Sequence, residues 1–91
     1  PRHIRVSEIV ARHGDPPWSE WLFTDGRNSV NLICDAPGLE NDAHLHPDFN
    51  EWWIVLQGVF IWEIGDYSPL RARAGDIHAV AAWCDTGQRR P

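Results

Sequence analysis

Residues 38–58 read GLENDAHLHPDFNEWWIVLQG, and the fold turns on how this stretch is read. It sets His44, His46 and Glu51 between Gly38 and Gly58, where a run of strand-forming residues begins. His44 and His46 are two apart, so in an extended segment both imidazoles leave one face, about 7 Å apart along the backbone. Rings at that spacing can converge on one ion with metal–nitrogen bonds of about 2.1 Å. Glu51 lies at an odd offset from both, so an uninterrupted strand would aim it away. Pro47, Asp48, Phe49 and Asn50 supply a turn between them, which brings Glu51 in from a neighbouring antiparallel strand. Two imidazoles and one carboxylate suit a transition metal with coordination positions left open.

Working outward, Glu51, Trp53 and Val55 share one face of their strand, and Trp52, Ile54 and Leu56 share the other. Both sets are largely apolar, which predicts a strand buried on both sides, closed by a turn at Gly58. In the next strand, Val59 to Ile64, the residues Phe60, Trp62 and Ile64 make one wholly apolar face. A turn at Gly65-Asp66 and a loop at Tyr67-Ser68-Pro69 lead to a short strand, Leu70 to Arg73, with Arg71 and Arg73 pointing outward. Ile77 to Trp83 reads as the last clear strand. Upstream, Trp21 to Thr24 and Ser29 to Cys34 read as a hairpin about Asp25-Gly26-Arg27-Asn28. Before it, Ser7 to Gly14 reads as a short helix with Ser7 as N-cap and Gly14 as its stop, broken by Asp15-Pro16-Pro17. Short strands punctuated by turn residues about every 8 to 12 positions are the pattern of an all-β barrel or sandwich.

The spacing Gly38-x5-His44-x-His46-x4-Glu51-x6-Gly58 resembles the first motif of the cupin superfamily at all five positions. The similarity runs over roughly residues 28 to 80. It implies an all-β fold, an antiparallel cupin-type β-barrel (a double-stranded β-helix or jelly roll). The barrel would span about residues 21–91 of a single domain, behind an N-terminal helix or arm of about residues 1–20. It also implies one divalent transition metal (Fe, Mn, Ni, Zn or Cu) held by His44, His46 and Glu51. The family's second motif, Gly-x5-Pro-x-Gly-x2-His-x3-Asn, is degenerate. With Gly75 as its first glycine, Thr86 stands where the fourth ligand, a histidine, is expected. A rival register, Arg73-x-Gly75-x2-His78, makes His78 that ligand. Asp85 and Cys84 are chemically able substitutes. The chain ends soon after this motif, so the resemblance leads one to expect a barrel incomplete at its C-terminus. A homodimer with exchanged strands would cover the open edge.

Such a centre fits several chemistries. With ferrous iron it would serve an oxygenase, and with zinc, manganese or nickel a Lewis-acid isomerase, lyase or epimerase, each acting on a small organic molecule. A general base other than Glu51 is not evident in the sequence. Small cupins also serve as sensors or storage modules that bind a small ligand without converting it, which is the competing expectation. Trp53 and Trp62 are placed to line the cavity and stack on a flat or sugar-like ligand, or simply to fill the core.

Composition narrows the partners. Thirteen acidic residues against eight arginines and no lysine give a formal net charge of −5, which argues against nucleic acid. No apolar run approaches the roughly 18 residues a membrane span needs, and the N-terminal residues do not read as a signal peptide, so the cytoplasm is the expected location. Cys34 and Cys84 are too few for a disulfide framework and are expected as small buried thiols. Trp18 and Trp21 are expected to pack an outer sheet or a dimer contact, and His3 and His13 to face solvent.

Overall fold

A computed structural model describes residues 3–39, 49–80 and 86–91. The chain divides into two compact units, Pro1–Ala36 and Pro37–Pro91. In the first, helix α1 spans Val6–His13 and buries Ile9. Its N-cap is Arg5, not Ser7. The Arg5 carbonyl accepts from the amides of Glu8 and Ile9 at 3.1 and 3.4 Å, and no side chain caps the helix. Ser7 therefore lies inside the first turn, where its hydroxyl cannot act as an N-cap. Gly14 stops the helix as expected, at φ +76°, with its amide donating to the Val10 carbonyl.

Strands β1 (Trp18–Thr24) and β2 (Ser29–Cys34) form the expected antiparallel hairpin, with a bulge between Trp21 and Phe23. The Asp25 carboxylate fixes the turn by accepting the amides of Arg27 and Asn28, each at 2.7 Å. Those two donors hold the Asp25 carboxyl below its ordinary pKa. β1 begins at Trp18, earlier than the alternation predicts.

Among its described residues the second unit holds five strands: β3 (Glu51–Ile54), β4 (Val59–Ile64), β5 (Leu70–Arg73), β6 (Ile77–Val80) and β7 (Thr86–Arg89). They make two antiparallel sheets, β3–β6 and β5–β4–β7. The inner faces of the two sheets meet in a core of Val55, Trp62 and Ala72, flanked by Trp53, Phe60 and Ile64. The Trp53 and Trp62 rings lie 5.4 Å apart and tilted, and Phe60 packs on Trp62 from 5.7 Å. Arg71 and Arg73 point outward, as the alternation requires.

Two readings of the sequence are corrected here. β3 is not buried on both sides: Trp53 and Val55 face the core, while Trp52, Ile54 and Leu56 stand exposed. Nor is the segment beginning at Ile77 the last strand. β7 follows it, pairing with β4 from Ile61↔Arg89 to Ile64↔Thr86. Apart from Thr86, the residues of β7 have little strand propensity of their own, and its pairing with β4 holds it in place, with Thr86, Gly87 and Gln88 buried. Arg90 then exchanges backbone hydrogen bonds with Gly38 and Leu39, at 2.8 and 2.9 Å, so the chain leading towards His44 starts beside the end of β7. The architecture is thus predominantly antiparallel β with one short helix, and among the described residues the strands do not close into a barrel.

Candidate functional site

The site is positioned by the register of β3 on β6. Glu51 pairs with Val80 and Trp53 with His78. Directly opposed residues in an antiparallel pair share a face, and so do residues two apart along one strand. Glu51, Trp53, His78 and Val80 therefore all point to the inner side. Glu51 and His78 are diagonal neighbours, about 7–8 Å apart at the backbone and within reach of each other's side chains. The register is locked by the turn before β6, where Gly75 at φ +93° permits the reversal. The Asp76 carboxylate accepts the Arg73 amide at 2.9 Å, and the Val55 backbone bonds both Gly75 and Asp76.

Glu51 accepts a hydrogen bond from the Trp53 indole N–H at 3.0 Å, which orients the carboxylate along the strand. The His78 ring meets Trp62 edge-on, with centroids 4.3 Å apart. Both His78 nitrogens are shielded from solvent, and among the described residues neither has a hydrogen-bond partner. An imidazole left so costs about 1–3 kcal/mol relative to a satisfied one. Burial pushes the His78 pKa below its ordinary value, so the ring is neutral near pH 7, the form whose lone pair binds a metal. An open depression of about 320 Å³, lined by Leu70, Ala72, Gly75, Asp76, Ile77 and His78, flanks the ring.

Of the residues singled out from the sequence, Glu51, His78, Trp53 and Trp62 are brought together. His44 and His46 lie outside the described residues, as do Cys84 and Asp85. Among the described residues no three metal-binding side chains cluster. Thr86 and His78, the fourth-ligand positions of the two registers, both belong to inward faces. Thr86 is buried on β7 opposite Ile64, and its hydroxyl also lacks a partner among the described residues. A neutral hydroxyl is a poor ligand for the metals that imidazole suits. Trp53 as the donor to Glu51 was not foreseen, although its i+2 position on the same face was the available signal.

His3 and His13 of the first unit are both exposed, as expected. At that surface His13 also stacks on Trp18 at 4.3 Å, and its Nε2 lies 2.8 Å from Glu20. Arg12 donates to both oxygens of Glu20, at 2.6 and 2.7 Å. Trp18 meets His13 and the Gly14 carbonyl, while Trp21 is exposed. Cys34 is a partly buried free thiol. No helix among the described residues is long and apolar enough to cross a membrane. The chain matches no family model, no curated protein and no solved structure.

Proposed function

We propose that residues 37–91 form the working part of a cupin-type β-barrel that binds one divalent transition metal through His44, His46, Glu51 and His78. In this reading the protein is a metal-dependent enzyme of oxygenase, isomerase or lyase type, acting on a small organic molecule. One observation carries it: Glu51 and His78 share the inner face of one sheet, and the neutral His78 ring has two shielded nitrogens with no partner among the described residues. A buried imidazole of this kind fits a metal ligand and is otherwise an unexplained cost. The bound ion would supply Lewis acidity or a platform for dioxygen. The chain's own contribution is to hold the Glu51 carboxylate through the Trp53 indole and to exclude water with Trp53 and Trp62.

A second reading, a non-catalytic module binding a small ligand, is favoured by one feature. Among the described residues the inner faces of β3 to β7 carry no carboxylate besides Glu51 to act as a general base. Metal analysis of the purified chain, followed by an oxygen-uptake screen with small phenols, thiols and keto acids, separates these readings. Turnover supports the enzyme, and saturable binding without turnover supports the ligand-binding module. Metal content unchanged in a His44→Ala, His46→Ala double variant overturns both.

A further inference from the structure

We infer that the outer face of the β3–β6 sheet is the surface through which two copies of this chain associate. The alternation that turns Glu51, Trp53 and His78 inward turns Trp52, Ile54, Ile77 and Ala79 outward, with Trp52 opposite Ala79 and Ile54 opposite Ile77. Among the described residues this face carries no charged side chain, and these side chains are open to water: Trp52 is 74% exposed, Ile54 59%, Ile77 61%, and Leu56, just beyond β3, 56%. Together these four side chains leave on the order of 500 Å² of apolar surface in water, at the upper end of what monomers expose.

Charge chooses the occupant. In a two-fold contact each group near the axis meets its own copy, so a charged face repels itself. The outer face of β5–β4–β7 carries Arg71, Arg73, Glu63 and Arg89, the last two paired at 2.9 Å. Two chains of net charge −5 also repel at long range. Judged on the described residues of these two sheets, the outer face of β3–β6 can lie against itself without opposing like charges, and that of β5–β4–β7 cannot. Apposing it in two copies buries about 1,000 Å², the lower bound for a specific interface. Two twisted antiparallel sheets pack this way, about 10 Å apart. The association is face to face, distinct from exchange of strands at an edge, and it does not depend on a bound metal.

Sedimentation velocity of the full chain from about 1 to 500 µM tests the proposal. A monomer–dimer equilibrium is expected, with a dissociation constant on the order of 1–100 µM. Ile54→Lys should weaken it by about 30-fold or more with an unchanged circular dichroism spectrum. Should that variant fail to fold, Ile54→Thr, which keeps a β-branched side chain on the strand, should still weaken the dimer measurably. A wild-type chain that stays monomeric throughout, or variants that dimerise as tightly as wild type, would overturn the assignment. So would a monomer in which Trp52 is shielded from an aqueous quencher, because the face would then be covered by the same chain.

Discussion

His13 and His78 each lie 4.3 Å from an indole, and there the resemblance ends. His13, in the helix–hairpin unit, stacks flat on Trp18 and shares Glu20 with Arg12, so its polarity is answered at the surface. His78, in the sheet unit, meets Trp62 edge-on, and among the described residues neither nitrogen has a partner. The first arrangement is what local stability produces. The second is one that stability alone would remove, since an apolar side chain of similar size would sit there at lower free energy. The proposed metal centre would account for the cost that the sheet unit carries at His78.

The comparison can be broken or sharpened by substitution. The largest effect should come from Trp62→Ala, which empties the centre of the core. It is expected to lower stability by about 3–5 kcal/mol in chemical denaturation. A loss below about 1 kcal/mol would mean that the two sheets do not pack around this ring. Next comes His78→Phe. In metal-free protein it should raise stability by about 1–2 kcal/mol, because it removes an unanswered polar group and keeps the contact with Trp62. A drop instead would show that the ring nitrogens are already satisfied. The smallest effect belongs to Glu20→Gln. Glu20 has its pKa lowered by the hydrogen bonds from Arg12 and His13, so its contribution is present above the ordinary value of 4.5 and fades as pH falls through the lowered one. Glu20→Gln should therefore be slightly less stable than wild type at pH 7. The difference should vanish in strong acid, as followed by thermal melts across pH. A gap that persists at low pH would mean that the ion cluster is not its source.

Much of the fold was legible in the residues. Asp25-Gly26 marks the hairpin turn because a carboxylate at that position can cap two amides, and the alternation of Phe60, Trp62 and Ile64 marks the inner face of β4. β7 was not legible, since Thr86 to Arg89 has neither apolar alternation nor β-branched density, and its strand character comes from pairing with β4. The open face of β3 was hidden for a different reason. Trp52, Ile54 and Leu56 look like core residues, but apolarity permits burial without requiring it. For the site, sequence placed Glu51 on the same face as Trp53, and register alone could put His78 beside them. His44 and His46 remain an expectation from spacing.

The most direct test of the metal-centre proposal is titration of the metal-free chain with Co²⁺, followed by its visible absorption, in wild type and His78→Phe. One Co²⁺ per chain is expected, with a band pattern that shifts and a site that weakens when the imidazole is removed. No binding up to millimolar Co²⁺, or an identical spectrum and affinity without His78, would contradict the assignment of His78 to the metal.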